Sequence, residues 1–313
     1  MKIGLLPKGR TIYFNEDLHR YTDDMDNEYT SMTTVIGAYK NDFETEKIAL
    51  ACERIGRNPS HPKYEKYKGK KAYQIVEDWK RAAEDGCEKG NIKHNYLENI
   101  IKKSTNYIKS ITGGINDRLY TIDDIIRKHN YGRLDLEFFV RTGISAKYPK
   151  IYSIVEIFHD KGYKIYAEIG VYDGDILVSG LIDILLVKDD SFVILDWKTN
   201  KDEIRFESGY FEKDNKGNST DKFVLKNDYL KFPLDHLADS TGNIYTLQLS
   251  GYAYLVETFG YKCKGIILCH IREVDGLEIV SPLSMKYLRN DVKRMMNHHY
   301  KNRKKKQQKK ILM

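Results

Sequence analysis

Cysteine is scarce in this sequence. Its 313 residues include four cysteines, namely Cys52, Cys87, Cys263 and Cys269. None of them belongs to a Cys-x-x-Cys pair, the spacing that zinc ribbons and many redox sites use. So few cysteines in a chain of this length also argue against a disulfide framework. We therefore expect reduced thiols that pack as ordinary core side chains.

Long apolar runs are missing as well. No stretch approaches the ~18 apolar residues of a transmembrane helix, and residues 1–10 lack the apolar segment of a secretory signal peptide. A cytosolic location is therefore expected. Proline is rare, with 6 residues, whereas 41% of the chain is hydrophobic and 31% is charged. That composition is typical of a globular protein and not of a disordered one.

The positive charge of the chain is concentrated at one end. The formal net charge is +7, and residues 301–313 contain seven lysines and arginines and no acid. Removing those seven from the 52 basic residues leaves 45, which equals the number of acidic residues. A terminal block of like charge either binds a polyanion such as nucleic acid or only keeps the protein soluble. Both interpretations stay open on this evidence.

The first half of the chain predicts a hairpin followed by helices. Two short strands flank a polar turn, and the segments after them carry apolar residues at helical spacing. Gly90 interrupts this spacing, so two separate helices are expected around it. Residues 110–149 contain several glycines and stay mostly unassigned. The predicted strands are residues 11–14 and 19–21, and the predicted helices are residues 31–39, 44–55, 70–89 and 91–109.

The second half alternates between strand and helix patterns. The pair Asp173-Gly174 predicts a tight turn between the first two strands. Residues 200–243 form a polar insertion with room for a small hairpin. The predicted strands are residues 164–171, 176–187, 191–198, 263–271 and 278–281, and the predicted helices are residues 150–160, 244–259 and 284–306.

This order of elements favours an α/β fold with a central mixed sheet flanked by helices. We expect an N-terminal hairpin and mostly helical region in residues 1–149. A core follows in residues 150–283. Residues 284–313 then form a C-terminal helix and the basic tail.

Two of the predicted apolar strands each contain an acidic residue, Asp183 in one and Asp196 in the other. If the turn between the strands is symmetric, Asp183 lies opposite Asp196 with Cβ atoms ~5 Å apart. Facing carboxylates in an apolar sheet repel each other unless a cation lies between them. Lys198 shares the face of Asp196, because strand side chains alternate. The pattern predicts a metal site, and a buried Asp–Lys ion pair is the alternative.

A lysine beside a carboxylate-bound divalent ion suits hydrolysis of a phosphodiester bond. The metal would bind an oxygen of the scissile phosphate and lower the pKa of a water molecule. Lys198 would position that water or stabilise the developing charge. Asp183, Asp196 and Lys198 are therefore the predicted catalytic residues.

Four segments carry a resemblance to a known family. In chain order they resemble the motifs of the PD-(D/E)XK nuclease superfamily in its RecB-like exonuclease branch. The likeness spans residues 90–252, and the segment of residues 196–199 is especially close to mitochondrial genome maintenance exonucleases and related phage proteins. The segments are Gly90-Asn-Ile-Lys-His94-Asn-Tyr-Leu-Glu98, Gly180-Leu-Ile-Asp183, Asp196-Trp-Lys198-Thr199 and Gln248-Leu-Ser-Gly-Tyr252.

The resemblance implies a restriction-endonuclease-like core and a bound Mg²⁺ or Mn²⁺. His94, Asp183 and Asp196 would be the metal ligands, and the backbone carbonyl of Trp197 could complete the set. Glu98 lies one helical turn from His94, so both side chains could reach the same site.

Three further residues are candidates for the site. The resemblance implies that Gln248 and Tyr252 border it and contact the DNA strand. Glu168 shares the face of Asp183, but ideal pairing around the Asp173-Gly174 turn sets Glu168 opposite Ser179. Only a bulge near Gly180 would bring Glu168 closer.

The chain departs from the family pattern in two ways. Some relatives hold an iron–sulfur cluster with one upstream and three downstream cysteines, whereas this chain has two of each, so no cluster is expected. The insertion between Asn200 and Gln248 is also unusually long. It could form a wall of a DNA channel.

The expected function is a metal-dependent DNA exonuclease that acts on ends of single-stranded or resected DNA. The phage likeness suggests recombination, replication or genome processing, with a protein partner, in the host cytoplasm. Lys304, Lys305 and Lys306 would hold phosphates electrostatically. One alternative is a structure-specific or restriction-like endonuclease with the same site. The other is a nucleic-acid-binding protein that keeps a nuclease fold without turnover.

Overall fold

The computed structural model describes residues 9–15, 18, 20–105, 117–127, 132–214, 219–274 and 276–311. Within these residues a large mixed sheet is flanked by helices, which confirms the expected α/β class. Parts of the predicted first turn and of the predicted 91–109 helix lie outside the described residues. No helix in the described ranges has the length and apolar character that crossing a membrane requires.

The strands of the described residues are β1 Ile12–Asn15, β2 Arg20–Asp23, β3 Glu28–Ser31, β4 Asp117–Arg118, β5 Lys164–Asp173, β6 Val178–Lys188, β7 Ser191–Lys198, β8 Gly209–Lys213, β9 Ser219–Leu225, β10 Lys262–Val274 and β11 Leu277–Ser284. The helices are α1 Met32–Gly37, α2 Thr45–Ile55, α3 Tyr64–Tyr67, α4 Ala72–Ser104, α5 Ile122–Arg127, α6 Leu136–Arg141, α7 Ile144–Lys147, α8 Pro149–Asp160, α9 Thr241–Glu257 and α10 Arg289–Ile311. All strands and helices predicted for the second half are present, with ends shifted by a few residues.

The main sheet has the strand order β11-β10-β7-β6-β3-β2-β1-β4, and β5 pairs with β6 outside this path. β10 and β7 run parallel, as do β3 and β6, and the remaining neighbours are antiparallel. The N-terminal strands therefore belong to the same sheet as the strands of the predicted core. β8 and β9 form a separate hairpin in the insertion.

β6 changes its partner along its length, and this change creates a gap in the sheet. At its start, Val178 and Ser179 pair with β3. From Ile184 onward, β6 pairs with β7. In the described sheet, residues 180–183 pair with neither of these two strands. Asp183 is the last of these residues before β6 joins β7.

Two apolar cores cover the two faces of the sheet, and β6 switches faces at Asp183. Val178 and Ile182 pack in the core that also contains the buried side of α9. Ile184 and Leu186, only two residues further on, pack in the other core with α4 and α8. A regular strand keeps alternate residues on one face. The alternation is therefore interrupted at the residue that the sequence singles out as a metal ligand.

The sequence prediction was wrong about two helices around Gly90. The structure has one continuous helix, α4, that runs through this residue. A Cβ at Gly90 would lie 3.0 Å from Thr199 Oγ1, just after β7. Glycine in the middle of a helix costs up to ~1 kcal/mol relative to alanine, but here it permits close contact between the helix and the end of the strand.

Candidate metal centre

The predicted register between β6 and β7 is correct as far as the strands pair. The ladder joins Val187 to Phe192 and continues to the pair Ile184 and Leu195. The next pair would be Asp183 and Asp196, but the strands separate there. Instead, the Trp197 backbone N–H donates a 3.1 Å hydrogen bond to Asp183 Oδ2. The Asp183 side chain thus replaces a backbone acceptor at the point where β6 and β7 part.

Glu168 lies much closer to Asp183 than the sequence predicted. The loop between β5 and β6 has four residues, because Asp173 pairs with Val178. Ala167 pairs with Ile184 and Ile169 with Ile182, so Glu168 stands across from Asp183 and not from Ser179. The prediction failed because Asp173-Gly174 does not form a two-residue turn.

The Glu168 backbone is unusual as well. Its φ of 51° is in the left-handed region, which a residue with a long side chain rarely adopts. Its carboxylate forms an ion pair with Lys102 of α4. The backbone of Glu168 is therefore strained. Glu168 lies across from Asp183, the residue at which the alternation of β6 is interrupted.

One face of α4 lies against the gap in the sheet at Asp183. We call the place where α4 meets β6 and β7 the cleft. His94, Glu98 and Lys102 follow one another at intervals of four residues and therefore share this face. Gly90 begins the same row one turn earlier and allows the helix to approach the end of β7. The helix thereby brings an imidazole, a carboxylate and an ammonium group to the gap in the sheet.

His94, Glu98 and Asp183 form a compact group of potential metal ligands. His94 Nδ1 lies 3.6 Å from Asp183 Oδ2 and 3.7 Å from Glu98 Oε1. One donor atom from each of the three residues lies within 4.8 Å of the other two. The carboxylates of Glu98 and Asp183 repel each other at such a distance, and a metal ion bound between them would remove this repulsion. The donor set therefore fits a bound metal.

Asp196 and Lys198 form a buried ion pair beside this group. Lys198 Nζ lies 2.6 Å from Asp196 Oδ2, and Asp196 is only 1% exposed. Trp197 points the other way and is fully buried in the opposite core. The Lys198 ammonium also lies 5.4 Å from the centre of the Tyr245 ring, a favourable distance for a cation–π contact.

The predicted ligand set and the observed group differ in one member. Glu98, which the sequence offered as an additional candidate, belongs to the compact group with His94 and Asp183. Asp196, a predicted ligand, is instead engaged by Lys198. It stays close enough to raise the pKa of Asp183 electrostatically.

The pKa values of these residues reflect crowding of charge in a buried place. Burial, and then the charge of Asp196, raise the pKa of Asp183 to about 7. For Lys198, burial favours the neutral amine, but the carboxylates of Asp196 and Asp183 outweigh it and raise its pKa. Burial alone would lower the pKa of His94, whereas Glu98 and Asp183 raise it. At Asp183, Lys198 and His94 the protonated form is therefore favoured.

Gln248 and Tyr252 line the same region from α9. Gln248 Nε2 donates a 2.9 Å hydrogen bond to the Tyr252 hydroxyl group. Tyr252 is 5% exposed, and its ring packs directly against Gly180. Burial raises the pKa of Tyr252 to about 12, so it stays a neutral phenol. The predicted pair, Gln248 and Tyr252, therefore lies beside the cleft, where Tyr252 packs against β6.

The predicted phosphate-binding lysines lie on α10, the helix expected at the end of the chain. Lys304 and Lys305 are exposed, and Lys304 Nζ lies 4.5 Å from the centre of the Tyr300 ring. The side chain of Lys306 lies outside the described residues. These lysines are on a different element from the cleft.

The sequence analysis missed Lys102 and Tyr245. Lys102 continues the row of His94 and Glu98 by one more turn, so its spacing would have revealed it had α4 been predicted as one helix. Tyr245 donates a 2.6 Å hydrogen bond to Asn200 Oδ1, and His270 Nε2 lies 3.0 Å from the Asn200 carbonyl oxygen. These contacts join residues that are far apart in the sequence, so no local sequence pattern predicts them.

In comparisons with models of known protein families and with curated proteins, nothing matches this chain.

Proposed function

We propose that this protein is a divalent-metal-dependent deoxyribonuclease that hydrolyses phosphodiester bonds. One observation carries the proposal: the compact group of His94, Glu98 and Asp183 lies next to the buried Asp196–Lys198 pair at a gap in the sheet. Metal ligands and a cationic side chain at one place are the requirements of metal-assisted phosphodiester hydrolysis. The four segments that resemble RecB-like nucleases supply the residues of this cleft.

Mg²⁺ or Mn²⁺ is the proposed metal. Two carboxylates and one imidazole provide hard oxygen donors with a single nitrogen, a set that suits these ions better than soft metals. His94, Glu98 and Asp183 would hold it, with Asp196 as the nearest further carboxylate. When bound, the ion would supply Lewis acidity toward a phosphate oxygen and toward water.

Lys198 is the residue proposed to act on the substrate. The neighbouring carboxylates keep it protonated, so it presents a fixed positive charge in a site that is largely shielded from water. Such a charge stabilises the negative charge that develops on phosphate oxygens during hydrolysis. Asp196 holds the ammonium group in place, and the Tyr245 ring covers one side of it.

We further propose that the enzyme acts on free ends of single-stranded or resected DNA. This part rests on the likeness of its segments to exonucleases of the RecB-like branch. The same cleft residues would serve an endonuclease equally well. The alternative is a DNA-binding protein that does not cleave. We disfavour it because burying the charges of Asp183, Asp196 and Lys198 costs stability, and a protein without catalysis has no need to keep them.

The test is digestion of three labelled substrates with Mg²⁺ or Mn²⁺. These are linear single-stranded DNA, linear double-stranded DNA and circular single-stranded DNA. We expect the wild-type protein to shorten linear DNA and to leave the circle intact, and Lys198→Ala to abolish cleavage. Lys262→Ala is the matched control, since Lys262 also forms an ion pair with an aspartate, Asp190, at a distance of 2.8 Å, but on the surface.

Each other outcome changes the proposal in a defined way. Cutting of the circle that depends on Lys198 would identify an endonuclease. Cleavage that survives in Lys198→Ala would show that the proposed cleft is not the catalytic site. Tight DNA binding without cleavage, with either metal, would favour the binding protein.

A further inference from the structure

A basic surface lies away from the candidate metal centre. A cavity of about 980 Å³ opens between the hairpin of β2 and β3, the start of α1, the loop around residue 231 and α10. None of the proposed metal ligands or catalytic residues lines it. It therefore has to be considered as a site of its own.

The cavity collects positive charge from three separate parts of the chain. Arg20, Lys231, Arg303 and Lys305 line it, against a single acidic residue, Glu28. Arg20 pairs with Glu28 at 3.1 Å, which neutralises one of the four cations. The other three lining cations leave the cavity with a net positive charge, so it attracts anions.

Two of these cations keep their charge available. Arg303 donates hydrogen bonds to the backbone carbonyl oxygens of Leu177 and Glu28, at 3.2 Å each, so it is fixed in place without meeting an acid. Lys305 is exposed and has no acidic partner among the described side chains. Lys231 contacts Asp42 at 3.0 Å, but both side chains are exposed, and such pairs exchange partners at little cost.

An exposed aromatic ring accompanies the charges. Phe232 lines the cavity and is 68% exposed. Its ring lies 5.5 Å from the His298 ring, in an edge-to-face arrangement. Leaving a phenylalanine in water forgoes about 1.5–3 kcal/mol of burial free energy. A ring among cations is the combination that holds single-stranded nucleic acid, where bases stack and phosphates meet positive charge.

The position of the cavity relates it to the cleft. Ser31 lines the cavity and pairs with Ser179 across the β3–β6 ladder. Asp183 follows Ser179 by four residues on β6, which corresponds to ~13 Å along a strand. A strand of DNA held in the cavity could therefore extend to the candidate metal centre.

We propose that this cavity is an auxiliary site for single-stranded DNA, with phosphates on Lys231, Arg303 and Lys305 and a base on Phe232. The choice of DNA as ligand rests on the proposed nuclease function. Binding at the cavity needs neither metal nor cleavage, so the two proposals fail independently.

The experiment measures fluorescence anisotropy of a labelled oligothymidine of about 15 nucleotides, with EDTA present to prevent cleavage. We expect Lys305→Glu to weaken binding about tenfold at low salt and to reduce the salt dependence. Lys301→Glu is the matched control, because Lys301 is exposed one turn earlier on α10 and does not line the cavity. At about 0.15 M salt, where the Debye length is about 8 Å, it should weaken binding clearly less than Lys305→Glu does.

The aromatic contact is tested in the same assay. Phe232→Ala should weaken binding about fivefold or more, because stacking of a base is lost. Phe43→Ala, at another phenylalanine that is 65% exposed, should leave the affinity unchanged. Circular dichroism melts of all four variants verify that the fold is intact.

Three outcomes would overturn the proposal. Equal losses in Lys305→Glu and Lys301→Glu would mean that only the overall charge of α10 matters. Unchanged binding in both Lys305→Glu and Phe232→Ala would remove the cavity as a DNA site. Binding of poly-glutamate of equal charge that is as tight as binding of the oligonucleotide, together with unchanged oligonucleotide binding in Phe232→Ala, would indicate an acidic protein partner in place of DNA.

Discussion

The ring of Tyr252 lies directly against Gly180, and a Cβ at Gly180 would overlap it. Both residues belong to segments that the sequence analysis singled out, but the sequence gives no sign that they touch. Gly180 begins the stretch of β6, residues 180–183, that pairs with neither β3 nor β7. The contact thus links α9 to the strand that carries a proposed metal ligand.

Gly180→Ala tests this contact. We expect it to lower the free energy of unfolding by ~1–3 kcal/mol, because the Tyr252 ring has to move to make room for the added methyl group. Urea denaturation measures the change. Gly37→Ala is the control, since nothing lies within 4 Å of a Cβ at Gly37.

A double variant separates steric overlap from other effects of Gly180→Ala. Tyr252→Leu shortens the side chain, so adding Gly180→Ala to it should cost much less than in the wild type. Equal costs of Gly180→Ala in both backgrounds would contradict a direct clash with Tyr252.

Gly90→Ala should disturb the approach of α4 to β7. The added Cβ would lie 3.0 Å from Thr199 Oγ1, so the helix that carries His94 has to shift by a few tenths of an ångström. Gly86→Ala, one turn earlier on the same helix, has nothing within 4 Å and should stabilise the protein by up to ~1 kcal/mol. We expect Gly90→Ala not to stabilise the protein in this way, and we expect it to bind Mn²⁺ more weakly than Gly86→Ala. Calorimetric titration with Mn²⁺ compares them, and identical affinities would refute the close-approach role of Gly90.

Metal binding should depend on His94, Glu98 and Asp183 and should weaken at low pH. The pKa of Asp183 is about 7, so this carboxylate gains a proton as the pH falls from about 8 to about 6. The raised pKa of His94 makes its imidazole protonate at a higher pH than that of an ordinary histidine. Protonated ligands do not bind metal, so the Mn²⁺ affinity should fall over this range. Asp183→Asn should reduce the affinity about tenfold or more at the higher pH and flatten the pH dependence.

The matched control for the metal experiment is His236→Ala. His236 also lies near an aspartate, with Nε2 3.0 Å from Asp291 Oδ1, but Arg294 occupies the same carboxylate. Its substitution should leave Mn²⁺ binding unchanged. An equal loss in this variant would show that binding is not confined to the cleft.

Lys198→Ala should destabilise the protein as well as inactivate it. It leaves the carboxylate of Asp196, 1% exposed, without its partner, and breaking a buried pair in this way costs ~3 kcal/mol. Lys262→Ala breaks a surface pair and should cost less than ~1 kcal/mol. Urea denaturation of both variants checks the difference. An equal, small loss in the two variants would argue that the Lys198–Asp196 pair is open to water.

The strands and helices of the second half were predictable because each carries its own apolar period and its own turns. The register of β6 and β7 followed from the short turn between Lys188 and Ser191, which fixes the pairing of every residue beyond it. The register of β5 did not follow, because four residues and not two close its loop. A turn signal indicates where a chain reverses but not how many residues the reversal takes.

The sequence by itself determined the α/β class, the alternation that buries Trp197 while Asp196 and Lys198 share the other face, and the helical spacing of His94 and Glu98. These are properties of one strand or one helix, so the local period specifies them. Only the tertiary structure decided that Glu98 joins His94 and Asp183, that Glu168 lies across from Asp183, and that residues 180–183 of β6 pair with neither β3 nor β7. Each depends on how elements far apart in the chain pack together, and packing distances between such elements are not encoded in any single stretch of residues.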